Sequence, residues 1–193
     1  MSVIVAIKEN GVIYMGADSQ TTAGRRKYIS LTEDSHKIVK LKNGMLVGFC
    51  GSVGARQTIL AMEDIFTLDE EGKLTKKHIL RNITPKLVDK MEQIGDERRG
   101  SMDVSILLAY KDQLYRISQG LNVLHLNEVG KSGSGADYAD YPLWNRRDLP
   151  VRERILRSLI SSAKRTESVC GPYVLIDTEK QEYEIVDMGG ENY

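Results

Sequence analysis

Cysteine, histidine and net charge are scarce in this chain of 193 residues, and each scarcity argues against a class of protein. Its two cysteines, Cys50 and Cys170, and its three scattered histidines show no metal-ligand spacing, so we expect neither a metal site nor a cofactor. So few thiols are typical of a reducing, cytoplasmic compartment. The 27 basic residues are balanced by 27 acidic ones, which gives no reason to expect nucleic acid or an anionic membrane as a partner. No apolar run approaches the length of a membrane span, and the start lacks the features of a secretory signal.

The chain instead contains strand-like and helix-like segments in regular blocks. Short apolar runs rich in β-branched residues end at turns such as Asn43-Gly44, a strong hairpin signal, whereas other segments place apolar residues at helical spacing. The predicted strands are Val3–Lys8, Val12–Ala17, Lys37–Leu41, Met45–Cys50, Val104–Tyr110, Leu114–Ser118, Val123–Val129, Tyr173–Ile176 and Tyr183–Val186. The predicted helices are Val53 to about Leu68, about Thr75 to Gly95 with a kink or late start at Pro85, a short helix up to about Trp144, and Val151–Ala163 after Pro150.

The order of these elements predicts the architecture. Four strands, two helices, three strands, two helices and two strands follow one another without a linker. We therefore expect an α+β fold, a four-layer αββα sandwich in which two antiparallel sheets lie face to face and a helix pair covers each outer side. The length fits one domain over residues 1–193. The polar residues 19–32 are expected to form an exposed excursion.

The start of the chain carries a candidate nucleophile. Ser2 comes directly before the first predicted strand, and a small second residue permits removal of Met1. Ser2 would then bear both a hydroxyl and a free α-amine. An amine with a pKa of roughly 7.7–8.0 can act as the base for its own side chain. The structural alternative is that serine is simply common at position 2.

Three further positions would complete such a site if the fold brings them to Ser2. Asp18 follows the second predicted strand, Lys37 begins the third, and Gly51 follows the fourth. A lysine ammonium beside a hydroxyl favours the alkoxide, a carboxylate keeps that lysine charged, and a backbone N–H at Gly51 could stabilise an oxyanion. Taken singly, each residue has an ordinary explanation: a turn-capping Asp, a solvated Lys and a glycine required by a turn.

Several segments of the chain follow one another in a characteristic order. They are Ser2-Val3-Ile4-Val5-Ala6-Ile7, Met15-Gly16-Ala17-Asp18, His36-Lys37, Gly48-Phe49-Cys50-Gly51-Ser52, Val104–Tyr110 with Leu114–Ile117, Gly133-Ser134-Gly135-Ala136 and Glu167-Ser168-Val169-Cys170. Together they resemble the proteasome β-subunit family of N-terminal nucleophile hydrolases, and within it the bacterial peptidase branch HslV. Gly130-Lys131-Ser132 also looks like the end of a P-loop, but that motif needs a glycine where His125 stands. Ser134 could also serve as a helix N-cap.

The resemblance implies a role for each matching residue. The implied catalytic residues are Ser2, Asp18, Lys37, Gly51, Ser134 and Glu167. Ser134 and Glu167 would position the α-amine and a water. Backbone groups of Thr22 and Val53 would pair with an extended substrate, and Phe49 would line the specificity pocket, which suggests an apolar side chain before the cut.

The sequence departs from the family pattern at several positions. Ser2 stands where the family usually has threonine, and serine retains the hydroxyl that the mechanism needs. Glu167 stands for an aspartate, which keeps the charge on a longer arm. Cys170 stands for a serine and is the poorer hydrogen-bonding group. The excursion between Asp18 and Lys37 is also slightly longer than the family pattern.

The resemblance as a whole implies a threonine/serine-type peptidase that hydrolyses peptides or unfolded proteins once Met1 is removed. It implies a homo-oligomeric ring in the cytoplasm, with an unfolding ATPase as a further partner and no nucleic acid or membrane. Two alternatives stay open. One is an amidohydrolase or acyl-transfer enzyme that acts on a small or specific substrate. The other is a non-catalytic scaffold subunit that retains Met1.

Overall fold

The structure of the chain is a computed structural model that describes residues 2–23, 26–29, 31–61, 63–93 and 102–187. Within these ranges the strands form two five-stranded antiparallel sheets and a separate hairpin. The strands are β1 Ile4–Glu9, β2 Val12–Asp18, β3 Gln20–Ala23, β4 Arg26–Ile29, β5 Ile38–Lys40, β6 Leu46–Gly51, β7 Val104–Tyr110, β8 Gln113–Ile117, β9 Val123–His125, β10 Val129–Ser132, β11 Tyr173–Asp177 and β12 Glu184–Val186. The first sheet has the order β10-β1-β2-β11-β12, and the second has the order β5-β6-β7-β8-β9.

Helices cover the outer faces of both sheets. They are α1 Val53–Leu60, α2 Lys76–His78, α3 Thr84–Gln93, α4 Asp140–Asn145 and α5 Val151–Ala163. A π-helical stretch, Ile79–Ile83, joins α2 to α3, and short 3₁₀ turns lie at Glu33–Ser35, Glu63–Ile65 and Ala136–Ala139. The wide turn comes just before Pro85, whose ring lacks the N–H that would continue the regular α-helical ladder. No helix among the described residues is both long enough and apolar enough to cross a membrane.

The β1 strand shows how the layers form. Val3, Val5 and Ile7 pack against the helix layer of α4 and α5, while Ile4 and Ala6 pack between the two sheets. Because successive side chains of a strand point to opposite faces, a strand with apolar residues at every position is covered on both sides. A third core lies between the second sheet and the layer of α1, α2 and α3. Two antiparallel sheets with a helix layer on each outer side confirm the predicted αββα sandwich.

Several predicted boundaries are wrong in an informative way. The excursion over residues 19–32 contains the β3–β4 hairpin, and its first residue in β3, Gln20, is buried. The predicted strand Val123–Val129 is two strands in different sheets, because Leu126 turns into the core between the sheets. Gly130-Lys131-Ser132, which resembles the end of a P-loop, belongs to strand β10, where Ser132 pairs with Ile4 of β1.

The two helices after β6 also differ from the prediction. The first ends at Leu60 rather than near Leu68, and Ile65 reaches the core from a separate 3₁₀ turn. The second begins with Thr75 as its N-cap, whose hydroxyl accepts from the His78 N–H. Its predicted end at Gly95 lies outside the described residues. The helix Val151–Ala163 has the predicted bounds.

Candidate active site

An ion pair between Lys37 and Asp18 lies at the centre of the candidate site. Lys37 directly precedes β5, and Asp18 is the last residue of β2. The Lys37 Nζ atom is 2.8 Å from Asp18 Oδ2, and their side chains are only 8% and 0% exposed. Lys37 Nζ also donates a hydrogen bond to the Gln20 carbonyl at 2.6 Å. A site at Ser2 requires that Asp18 and Lys37 meet, and the fold brings them into direct contact.

The Asp18 carboxylate also holds the start of the chain. Its Oδ1 accepts a hydrogen bond from the Val3 N–H at 2.9 Å, and its Oδ2 accepts one from the Gln20 N–H at 3.2 Å. Burial raises the pKa of the Asp18 carboxyl, and the Lys37 ammonium together with these two N–H donors opposes that shift. Since Val3 follows Ser2, the same carboxylate fixes both the lysine and the backbone next to the candidate nucleophile.

Ser2 shares a narrow cavity with most of the predicted site. The Ser2 side chain is buried, with 6% of the residue exposed. The cavity measures about 40 Å³, enough for one or two water molecules. The predicted residues that line it are Ser2, Thr22, Lys37, Phe49, Gly51 and Val53. Asp18 lies behind Lys37 rather than in the cavity wall.

Two glycines permit the close backbone approach around Ser2. Gly51 has a φ of +130°, and an added Cβ would lie 2.0 Å from the Asp103 carbonyl oxygen. Gly133 has a φ of +98°, and an added Cβ would lie 2.1 Å from the Ser2 carbonyl oxygen. Any L side chain at either position would therefore be strained and would displace a neighbouring backbone segment.

Ser134 lies in the turn that contacts the Ser2 backbone. The Gly135 N–H donates to the Ser2 carbonyl at 3.2 Å, so the turn is held against the first residues of β1. Ser134 itself is exposed. The alternative role of Ser134 as a helix N-cap is not seen, because Gly135 occupies the N-cap position of the 3₁₀ turn.

Glu167 lies apart from the cavity that Ser2 lines. Its side chain is exposed and lines a second cavity on the other side of Gln20. Its main-chain carbonyl accepts a hydrogen bond from Gln20 Nε2 at 3.0 Å. The partly buried Cys170, three residues on, accepts a hydrogen bond from the Ser19 N–H through its own carbonyl at 3.2 Å. Glu167 and Cys170 therefore contact the residues next to Asp18, Gln20 and Ser19, through their main-chain carbonyls.

The sequence interpretation missed Arg56, a buried cation in the wall of the Ser2 cavity. Arg56 is 8% exposed, and its guanidinium donates to the carbonyls of Asp34 at 2.8 Å, Ser35 at 3.1 Å and also His36. Burial lowers the pKa of this guanidinium. Because Arg56 holds the three residues before Lys37, it fixes the backbone position from which the Lys37 side chain extends. The only signal in the sequence was an arginine on the face of α1 that also buries Ala55 and Ile59.

A second missed feature is a chain of small polar side chains between the sheets. The Ser105 and Ser132 hydroxyls share a hydrogen bond, and Ser132 also hydrogen-bonds the Cys50 thiol. Burial raises the pKa of Cys50 to about 12. These residues come from β7, β10 and β6, so no local pattern could have grouped them.

Among the described residues, no group of three or more His, Cys, Asp or Glu side chains could hold a metal ion.

Known proteins resemble this chain in sequence and in fold. No protein-family model matches the chain. The ATP-dependent protease subunit HslV of Staphylococcus epidermidis is 27% identical over 139 residues, which cover 70% of this chain and 71% of that protein. The structure of Thiobacillus denitrificans BPH superposes with a TM-score of 0.72 and 15% identity over 96% of this chain and 99% of that one. Anbu (ancestral beta-subunit) from Yersinia bercovieri gives a TM-score of 0.70 and 17% identity over 97% and 88%.

The two solved structures share the architecture of this chain over most of their length, so the three proteins have a common fold. The match to HslV adds a similarity in sequence to this likeness in fold. Together these findings support a proteasome β-subunit or HslV-like family for this chain, the family that its sequence motifs resemble.

Proposed function

We propose that this chain is a peptidase of the N-terminal nucleophile class, in which Ser2 acts after removal of Met1. The observation that carries the proposal is the buried ammonium of Lys37, which is paired with Asp18 at 2.8 Å and lines the same cavity as Ser2. A buried positive charge beside a hydroxyl stabilises the alkoxide and so lowers the hydroxyl pKa. A purely structural ion pair has no need to share a cavity with a serine.

The proposed reaction has two steps. Ser2 Oγ attacks the peptide carbonyl while the freed α-amine takes its proton, and the tetrahedral oxyanion is stabilised by the Gly51 N–H. The C–N bond then breaks, the leaving amine takes the proton, and an ester to Ser2 Oγ is left. Water, deprotonated by the same α-amine, hydrolyses this ester and releases the carboxylic acid product. Lys37, held by Asp18, keeps its positive charge near Ser2 Oγ throughout.

The remaining residues have supporting roles in this proposal. Ser134, in the turn that holds the Ser2 carbonyl, positions the α-amine. Glu167 contributes through its main-chain carbonyl, which fixes the Gln20 side chain in the cavity wall. Backbone groups of Thr22 and Val53 pair with an extended peptide. Phe49 contacts the side chain before the cut. The Phe49 ring also packs edge to face against the Phe66 ring, with 6.2 Å between the ring centroids. The core therefore fixes the Phe49 ring, which would present a rigid apolar wall to the substrate side chain.

We further propose that the subunits assemble into a proteasome-like homo-oligomeric ring that works on peptides or unfolded proteins with an unfolding ATPase. The name of the HslV relative, an ATP-dependent protease subunit, supports this assignment. So do two large apolar side chains exposed one turn apart on α4, since Tyr141 is 67% exposed and Trp144 44%. Apolar residues of this size commonly mark protein–protein contacts when they cluster on a surface.

The test is the intact mass of native, untagged protein before and after treatment with a peptide epoxyketone. We expect the untreated protein to lack Met1 and the treated protein to gain one inhibitor. The inhibitor class is a suitable probe because the related BPH structure has been solved in complex with epoxomicin. Ser2→Ala should abolish the adduct, and Lys37→Ala should slow its formation strongly.

A matched control is Ser35→Ala, which removes another serine hydroxyl from an exposed hydrogen bond to Thr32 and should label like the wild type. Retention of Met1 with no adduct would refute the peptidase and favour the scaffold alternative. Labelling of Lys37→Ala at the native rate would refute the role of that lysine. Native mass spectrometry of the same sample reports the oligomeric state. An adduct on a monomer with no peptide cleavage would favour the small-substrate alternative.

A further inference from the structure

The cavity on the far side of Gln20 from Ser2 has a basic rim. It measures about 470 Å³ and lies between the β3–β4 hairpin and the segment that follows α5. Lys27 comes from the hairpin, while Lys164 and Arg165 directly follow α5. Glu167 is the one carboxylate among its lining residues. The rim therefore carries three positive charges against one negative charge.

Among the described residues, no ion pair joins Lys27, Lys164 or Arg165 to a carboxylate. All three are exposed. Lys164 and Arg165 follow the last turn of α5, where a cation also interacts favourably with the helix dipole. That explanation does not cover Lys27, which reaches the same cavity from a different element of the fold.

The cavity is joined to the candidate active site through one side chain. Gln20 is 2% exposed and lines both cavities. Its Nε2 atom donates to Glu167 O at 3.0 Å and to Thr22 Oγ1 at 3.2 Å, so the wall between the cavities is fixed from both sides. Thr22 is also a residue proposed to pair with substrate. A peptide extended along Thr22 would therefore pass close to the basic rim.

We propose that this second cavity is a subsite for an acidic side chain of the peptide substrate. The inference rests on the proposed peptidase function and adds to it a preference in substrate chemistry. Lys27, Lys164 and Arg165 would contact the carboxylate, and the buried Val169 would contact its methylene groups. Since the cations are exposed, the attraction is screened by salt.

The test measures peptide binding to Ser2→Ala, which cannot turn substrate over. Fluorescein-labelled peptides of about ten residues carry one Glu at successive positions of a neutral sequence, and each is paired with its Gln counterpart. We expect Glu to bind about fivefold more tightly than Gln at one position, near the upper limit for an exposed ion pair. Raising the salt concentration from about 50 mM to about 500 mM should remove most of this preference.

The variant Lys27→Ala/Lys164→Ala/Arg165→Ala, made in the Ser2→Ala background, should lose the Glu preference. The matched control is Lys76→Ala/Lys77→Ala/Arg81→Ala, which removes three exposed charges from the opposite helix layer and should keep the preference. Three results would overturn the inference: no position prefers Glu, the preference survives in the first variant, or it is lost equally in the control. The Glu and Gln peptides and the salt series use the parent protein, so the absence of a Glu preference, or a preference that salt leaves unchanged, would overturn the inference even if a triple variant does not fold. Epoxyketone labelling of wild-type Ser2 reports the peptidase separately, so a labelled protein without a Glu preference loses only the subsite.

Discussion

Removing either member of the Asp18–Lys37 pair should lower the free energy of unfolding strongly. Removing both should lower it by much less than the sum of the two single effects. Asp18→Asn leaves the buried Lys37 ammonium with the Gln20 carbonyl as its remaining acceptor in this group. Lys37→Met leaves a fully buried carboxyl that still accepts from two backbone N–H groups. Breaking a buried pair by removing one partner costs about 3–5 kcal/mol, because the other charge is left uncompensated.

The double variant Asp18→Asn/Lys37→Met carries no buried charge at this place. Its Asn can still accept the Val3 N–H, and methionine fills much of the volume of the lysine stem. We therefore expect it to be more stable than the sum of the single variants predicts, by about 2–4 kcal/mol. Urea unfolding at neutral pH, followed by far-UV circular dichroism, measures the free energy of unfolding of all four proteins.

The pH dependence of Lys37→Met gives an independent check. Burial raises the pKa of Asp18, and in this variant the ammonium that opposes the shift is gone. The folded state then binds more protons than the unfolded state between the unfolded pKa, about 3.9, and the raised folded value. The free energy of unfolding of Lys37→Met should therefore fall as pH rises through that window. The double variant should lack this fall.

The control is the exposed pair of Glu71 and Lys73, whose side chains are 73% and 66% exposed. Glu71→Gln should change the free energy of unfolding by less than about 1 kcal/mol. Strictly additive effects of Asp18→Asn and Lys37→Met would refute the claim that the two charges depend on each other. The double variant also separates stability from chemistry, because it should regain stability without regaining epoxyketone labelling of Ser2.

Two further predictions follow from the same region. Gly51→Ala should lower the free energy of unfolding by about 3 kcal/mol or more in urea titration, since it adds strain at positive φ and places a Cβ 2.0 Å from Asp103 O. The control Gly72→Ala, at a φ of +70° with nothing within 4 Å of its Cβ, measures the cost of a positive φ without such a contact. An equal loss of stability in both variants would contradict this account. Iodoacetamide at about pH 8 should alkylate Cys170 but not Cys50 in the folded protein, because burial raises the pKa of Cys50 to about 12. Peptide mass mapping identifies the modified thiols, and both should react in urea. Modification of Cys50 in the native state would contradict the prediction, since it would show that the thiol is accessible.

The sequence predicted best where the signal was local. The β-branched run after Ser2, the Asn43-Gly44 turn and the Pro150 start each specify an element from a few adjacent residues, and β1, the β5–β6 hairpin and α5 lie where they were expected. Prediction failed where distant segments decide the outcome. The segment from Val123 changes sheets because β8 and β1 each offer a strand edge, and no pattern within the segment says where it must cross.

The candidate site likewise contains residues that the sequence could identify and residues that only the packing of distant segments brings to it. Ser2, Asp18, Lys37 and Gly51 could be named because they stand at strand ends in a family-like order. Arg56 could not, since its three carbonyl partners belong to a loop about twenty residues earlier, which only the packing of α1 brings near. The family pattern suggested a catalytic place for Glu167, but its side chain is exposed outside the Ser2 cavity.

By itself the sequence determined most of the strands, which faces are apolar and which residues could supply a nucleophile, a cation and a carboxylate. These properties depend on residue type and on spacings of a few residues. Only the tertiary structure decided that Lys37 Nζ lies 2.8 Å from Asp18 Oδ2, that Arg56 holds the segment before Lys37, and that a basic cavity lies behind Gln20. Distances and side-chain directions of this kind depend on the pairing of strands far apart in the chain, and long-range pairing is a property of the packed sheets as a whole.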